Sequence, residues 1–469
     1  MDEFEKQLKE QIEETIRNPK TLEEISIISY FKEQELKLGV SAFDSMYRTV
    51  RMYYAPHILM GEGREKEARL AAIDLSSKMR AEAAMIISMY LTEEENMKTL
   101  TLTCDLGGSL TKAMVKEYPR EKSASMIMGS AIADVGRKSV EGKFSDIPIE
   151  SGLWVSYKNE YFVLGDLAVK EFAGTSSLKK LKYEIAVPKL LGLIAAALKK
   201  YNLTEAKVYI MCLLPSGEIS DGDKLSKEMT LACRGGIQSS HGNFKVQLAG
   251  FKTAVEGSGV LGYRIKDLGK DKWSKRNVVM AMVGYRNASA LAFENGVPVV
   301  SPTSDLGMNW MISRFIDRSA VGLSASATPK IVKALVDAYQ HGDKDALIAL
   351  SRKSERKDKN ADAKMFDEVM GVLFDEYSRA LVRFISDSLD ECDEVLLCGG
   401  TAYLVKPYLE NYFDKEGIEI VWDGGVEVPE FIDKHDLDYR LADCYAMNET
   451  FVRGVDKMTG FARQAQIVG

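Results

Sequence analysis

Between Cys104 and Lys112 the chain reads Cys-Asp-Leu-Gly-Gly-Ser-Leu-Thr-Lys, setting a carboxylate, two glycines, a hydroxyl and an ammonium around one short turn. Gly107 and Gly108 let backbone N–H groups approach phosphate oxygens without an intervening side chain, and Ser109 adds a hydroxyl donor. Asp105, at the end of an apolar run, is placed to hold a magnesium ion through water, because hard cations take carboxylate oxygen and keep much of their hydration. Lys112, on the returning strand, can neutralise phosphate charge. A second group, Val255-Glu256-Gly257-Ser258-Gly259, sets one carboxylate between a strand-like run and a small-residue turn that could open a helix. From there Glu256 could orient a water for attack on a terminal phosphate, or simply cap the helix from the surface. A third group, Cys398-Gly399-Gly400-Thr401-Ala402, ends an apolar run in paired glycines, where a flat ring or a sugar can lie against backbone. Each signature taken alone also fits an ordinary structural turn.

These residues need strands and helices to hold them. TLTLTCDLGGSLTKAMVKEY alternates apolar and polar residues on both sides of its turn, which predicts a β-hairpin. Strand signals follow over residues 152–166, a helix is predicted from about Val187 to Tyr201, and AKVYIMCLLP reads as a buried strand. Residues 277–301 read as a second hairpin of two strands, with a tight-turn signal at Asn295-Gly296. From Thr328 to Glu391 the pattern is helical, with SRKSERKDKNADAK expected as a solvated charged loop in its middle. EVLLCGGTAY is a buried strand and glycine turn, and a closing helix is predicted from about Tyr439. Residues before Met97 carry helical periodicity, with a turn expected from Pro56 to Gly63. They read either as a helical appendage packed on the main body or as a module for a partner or polymer contact. Alternating strands and helices give an α/β class with mixed sheets.

Composition narrows the function classes. The 69 acidic and 62 basic side chains give a net charge of -7, without the positive field that direct nucleic-acid binding needs. Six scattered cysteines form no metal-spaced cluster and read as reduced core thiols. The longest apolar stretch, from Val187, is interrupted by Lys189 and falls short of the about 20 residues that cross a bilayer. The acidic, amphipathic N-terminus does not resemble a secretory signal, so a cytoplasmic location is expected.

In order and spacing, the DxGxxxxK hairpin, the isolated EGxG, the second glycine hairpin, the helical insertion and the GG(T)A turn resemble the actin, heat-shock chaperone and sugar-kinase superfamily. The resemblance runs from about Lys98 to the end and is nearest to the ParM/StbA branch of plasmid-segregation actins. It implies a two-lobed actin-like fold with mixed sheets flanked by helices, plus an N-terminal all-helical extension. The implied domains are 1–97 for the extension, 98–265 for domain I, 266–438 for domain II with a helical insertion, and 439–469 for a C-terminal helix returning to domain I. In the site, Asp105 would hold hydrated Mg²⁺; Gly107, Gly108, Ser109 and Lys112 would bind the β- and γ-phosphates of ATP or GTP. Glu256 would position the attacking water, and Gly399, Gly400 and Thr401 would contact the nucleoside. Such proteins stack head to tail, so the resemblance implies a self-assembled filament, a DNA-bound adaptor and a prokaryotic cytoplasmic setting. One departure stands out: the second phosphate loop usually opens with an aspartate, and here Met282 holds that place. Gly284 still offers an amide, and Arg286 and Asn287 offer replacement donors. Two other readings stay open: a nucleotide-binding scaffold without efficient hydrolysis, and a small-molecule kinase.

Overall fold

The computed structural model describes residues 97–119, 122–175, 182–319, 322–323 and 328–459. The expected helical extension and its turn lie outside the described residues. The first sheet contains β1 (Thr99–Leu106), β2 (Leu110–Tyr118), β3 (Ala124–Gly129), β4 (Ile132–Val135), β5 (Leu153–Tyr157), β6 (Glu160–Leu164), β7 (Glu205–Leu214), β8 (Ile237–Ser239) and β9 (Gly242–Val255). Their spatial order is β3-β2-β1-β7-β9-β8-β5-β6-β4. The second sheet contains β10 (Val278–Val283), β11 (Ala288–Glu294), β12 (Val297–Val300), β14 (Glu394–Cys398) and β15 (Glu419–Trp422), in the order β12-β11-β10-β14-β15, with β13 (Thr303–Ser304) beside β11.

One plan is used twice. In each sheet a hairpin supplies an antiparallel pair, and two further strands continue it in parallel: β1 with β7 and β9, and β10 with β14 and β15. Parallel strands need crossover segments, which is where the helices enter. Helix α1 (Lys182–Lys200) covers the first sheet. Its run LLGLIAAAL is rich in strong helix formers, and Leu190, Ile194 and Leu198 bury against Leu102, Val208 and Ile210. Helix α2 (Gly222–Arg234) joins the same core through Leu225 and Met229. On the second sheet, α4 (Met308–Arg318), α5 (Thr328–Gln340) and α6 (Arg356–Ser386) build the other core. There Phe315, Phe366, Tyr377 and Leu381 pack with Val279, Ala281 and Leu397. Complete burial of such a side chain contributes about 1.5–3 kcal/mol. Between them, α3 (Ser258–Leu268) follows β9 directly, while α7 (Gly400–Leu404) and α8 (Lys406–Lys415) follow β14. The closing helix α9 (Ala442–Thr459) packs Phe451 and Val455 onto Tyr118, Met211 and Leu213 of the first sheet.

Three sequence expectations are corrected. The charged segment 351–364 is a loop only over 351–355: α6 begins at Arg356, because Arg, Lys, Ala and Asp on an exposed face make a solvated helix as readily as a solvated loop. The second hairpin region holds three strands, since β10–β11 turns at residues 284–287 and β11–β12 turns at Asn295-Gly296. Asn295 and Gly296 have φ of 49° and 74°, the paired positive values that a two-residue hairpin turn requires. Helix α1 starts at Lys182 rather than near Val187, with Pro188 inside it. Packing of Ile185 through Leu198 outweighs the hydrogen bond that Pro188 removes.

Among the described residues, no helix is long and apolar enough to cross a membrane. All six thiols are free, and burial pushes those of Cys212 and Cys233 to about 12.

Candidate functional site

The strand ends that carry the candidate residues meet around one cavity of about 270 Å³. The β1–β2 hairpin brings Asp105, Gly107, Gly108, Ser109 and Lys112 to its wall, and the end of β9 brings Glu256. Gly284, Arg286 and Asn287 of the β10–β11 turn face it from the second sheet, as do Gly399, Gly400 and Thr401 after β14. Every candidate residue named from the sequence therefore lines the same space.

Register explains the first cluster. Asp105 lies directly across the hairpin from Lys112, one pair in from the turn. The Lys112 ammonium sits 2.6 Å from Asp105 Oδ2 and also donates to the Arg440 carbonyl at 2.8 Å. Gly107 is required by a close approach, since a Cβ there would stand 2.6 Å from the Leu110 carbonyl oxygen. The Ser130 hydroxyl donates to the Gly108 carbonyl at 2.7 Å and fixes the turn from outside.

Glu256 continues β9, its N–H donating to Leu214 O at 2.9 Å. Gly257 then turns the chain with φ 86°, a conformation that favours glycine, and a Cβ there would press on the flexible end of Met280. The N-terminus of α3 is capped by a residue far away in sequence: Asp443 Oδ2 accepts the Gly257 N–H at 2.7 Å and Oδ1 accepts the Gly259 N–H at 2.8 Å. Burial raises the Asp443 carboxyl, while these backbone donors pull it down.

Sequence reasoning missed the link between the two carboxylates. Lys182, the first residue of α1, donates to Glu256 and stands 3.4 Å from Asp105 Oδ1. Burial alone would disfavour ionised Asp105, but the Lys112 and Lys182 ammonium groups outweigh it and hold the carboxyl at about 2. Burial pushes Glu256 up, with Lys182 pulling against it and Asp105 adding to the rise. A triad of carboxylate, ammonium and carboxylate thus crosses the floor of the cavity. Lys182 carries no motif, and the helix predicted from about Val187 began about five residues too late to present it. Other cavity residues that were missed include Tyr439, Arg440, Asp443 and Asp423. Asp423 had a usable signal, since a carboxylate followed by glycine closes the apolar run EIVW as Glu256 closes FKTAV.

The second hairpin is built from different chemistry. Its turn closes through Gly284 N–H to Asn287 O at 2.9 Å. Its Gly284 and Tyr285 carbonyls accept the N–H groups of Met308 and Asn309 at 3.2 and 2.9 Å, which anchors the turn on the N-terminus of α4. Thr401 Oγ1 donates to Gly284 O at 2.9 Å. Gly399 has φ 93°, and a Cβ there would lie 2.4 Å from Val283 O. Met282 lines the cavity, and its sulfur packs 3.7 Å from Cys398 Sγ.

No protein-family model matches the chain, and no curated protein matches it in sequence. Solved structures do. The chain is similar to a 15-stranded ParM filament from Clostridium botulinum, with TM-score 0.50 and 15% identity over 75% of this chain and 98% of that one. It is also similar to an archaeal actin homolog, with TM-score 0.48 and 16% identity over 76% and 100% of the two chains. A Bacillus thuringiensis ParM with AMPPNP gives TM-score 0.47 and 14% identity over 75% and 99%. At these identities the likeness is one of fold, carried by the filament structure at TM-score 0.50: the described residues adopt the actin-like fold.

Proposed function

We propose that the chain is a nucleotide-dependent actin-like filament protein that binds ATP or GTP with Mg²⁺ and hydrolyses it to control assembly. The observation that carries this reading is the convergence of two glycine turns, two lysines and the Glu256 carboxylate on one cavity. Domain I would span 98–265 and domain II 266–438, with 439–469 returning to domain I.

The cavity suits a triphosphate. Gly107, Gly108 and Ser109 would give backbone and hydroxyl donors to the β- and γ-phosphates, and Lys112 would neutralise them. Lys182, poised between Asp105 and Glu256, would exchange a carboxylate for a phosphate oxygen. That exchange would release Glu256 to accept a proton from the water attacking the terminal phosphorus, with the nucleoside diphosphate leaving. Burial of Glu256 favours this role, because it strengthens the carboxylate as a base. Gly284, Arg286 and Asn287 would close over the phosphates from the second lobe, and Gly399, Gly400 and Thr401 would receive the nucleoside.

The donor set also fits a hydrated hard cation. Asp105 is the one carboxylate at the phosphate turn, and among the described residues no group of three or more His, Cys, Asp or Glu side chains is disposed to hold a metal. Asp105 would therefore hold Mg²⁺ through water, the remaining positions falling to solvent and phosphate. When bound, the ion would neutralise charge between the phosphate groups.

The ParM structure similar to this chain is a filament, and a head-to-tail contact between copies of this chain would leave an open end for the next copy. We assign DNA or other cargo positioning in the prokaryotic cytoplasm, through a DNA-bound adaptor, because the net charge of -7 gives no field for direct nucleic-acid binding. Light scattering and negative-stain microscopy with and without ATP or GTP test this: filaments that depend on nucleotide are expected, and unchanged monomers under all conditions would sink it. Met282 favours a second reading, a scaffold that binds nucleotide without efficient turnover. Phosphate release from filament-competent protein separates the two.

A further inference from the structure

We propose that Asp423 reads the nucleoside half of the ligand, its Oδ1 accepting a hydrogen bond from an N–H or O–H donor on the base or ribose. This rests on the nucleotide reading above. Asp423 is the first residue beyond β15, the outer parallel strand of the second sheet. It lines the cavity, yet only 3% of its surface is exposed. The Tyr403 hydroxyl donates to Oδ2, while Oδ1 is buried with no hydrogen-bond partner among the described residues. Leaving a buried acceptor unmade is unfavourable, and no described neighbour supplies a donor to it. The vacant acceptor therefore belongs to whatever fills the cavity.

Position selects which half of the ligand that is. Met282 pairs with Cys398, and one step past the last β14–β15 pair, Leu397 with Trp422, the row reaches Asp423. Asp423 thus stands two strands from the hairpin end, roughly 10 Å at ordinary inter-strand spacing. The phosphate turns lie at the hairpins, where the carboxylates of Asp105 and Glu256 are each paired with a lysine; a carboxylate without such a pair would repel phosphate. Around Asp423 the wall changes to aromatic and small groups. Tyr403 stacks on Tyr439 with centroids 3.5 Å apart and planes 8° from parallel. Arg440 lies along Gly400, its Cγ 3.7 Å from where a Cβ would project. The Lys406 ammonium lies over the Tyr403 and Trp422 rings at 5.2 and 4.8 Å, on the carboxylate's own strand end. Burial raises the Asp423 carboxyl to about 7, with the Tyr403 hydroxyl pulling it down.

The test compares Asp423→Asn and Asp423→Ala with the unaltered full chain, using ATP, GTP, ITP, 2′-deoxy-ATP and inorganic tripolyphosphate, each with magnesium. Calorimetric affinities should fall about tenfold or more for the preferred nucleotide in both variants and stay within about twofold for tripolyphosphate, which has no nucleoside. Equal losses for 2′-deoxy-ATP in the unaltered chain and for ATP in the variants would place the donor on the ribose. A GTP preference over ITP that disappears in the variants would place it on the guanine edge. Unchanged nucleotide affinity in both variants, or an equal loss for nucleotide and tripolyphosphate, overturns the assignment while leaving the nucleotide reading standing. If the unaltered chain binds none of the five, the nucleotide reading fails and takes this proposal with it. Tyr403→Phe, which frees Oδ2 without altering the carboxylate, should give a smaller loss confined to nucleotides, and guards against a fold defect in the Asp423 variants.

Discussion

The β1–β2 and β10–β11 hairpins share one geometry and differ in chemistry. Both close four residues, 107–110 and 284–287, both turns open on glycine, and both outgoing strands have a parallel partner on their other side. One pair in from the turn, the first sets Asp105 opposite Lys112 and the second sets Met282 opposite Ser289. Of these two facing pairs only the first carries charge. The first hairpin is held by ion pairs to Lys112 and Lys182, whereas the second is held by backbone hydrogen bonds to the start of α4 and by sulfur contacts. One backbone device thus carries two chemistries: paired charge where Asp105 stands, and backbone hydrogen bonds with sulfur packing where Met282 stands.

Glu256→Gln should produce the largest change. It keeps the shape of the turn but removes the base, and phosphate release should fall by about 10²–10⁴-fold with nucleotide affinity nearly unchanged. Loss of affinity in step with turnover would move Glu256 from chemistry to binding. Next, Asp105→Ala should weaken magnesium-supported triphosphate binding by about a hundredfold, a difference of roughly 3 kcal/mol. Met282→Ala, at the equivalent place in the other hairpin, should change it less than about threefold. Similar losses at the two positions, read by the same titration, would erase the asymmetry.

Backbone demands are expected to matter more in the second lobe. Gly399→Ala would force a side chain into a positive-φ position against Val283 O, and chemical denaturation should show a loss of about 2–3 kcal/mol. The smallest effect concerns acid. Asp105 has a folded value of about 2, below its unfolded value of about 4, so its contribution is complete above pH 4 and is lost as pH falls toward 2. Denaturation curves across that window should lose about 2 kcal/mol in the unaltered chain, and that component should be missing in Asp105→Asn.

How far the sequence could be read follows the same division. Glycine turns at strand ends declare themselves, because few residues tolerate such backbone and the flanking apolar runs mark the strands; Gly107, Gly257 and Gly399 were all visible in this way. Solitary side chains brought in from remote segments do not. Lys182 reaches Asp105 and Glu256 only because α1 begins before Pro188, and Asp443 caps α3 across a long sequence separation. Such contacts leave no periodicity or spacing to detect. The charged stretch beginning at Arg356 was misread for a related reason, since exposed charge describes solvation and not backbone shape.

In the proposed reading a triphosphate sits between the two turns and Asp105 holds the metal through water. Calorimetric titration of a non-hydrolysable ATP or GTP analogue, with magnesium and then with EDTA, tests it most directly. The account predicts one saturable site whose affinity drops at least about tenfold on chelation. Affinity for every nucleoside triphosphate that is either absent or indifferent to magnesium would contradict it.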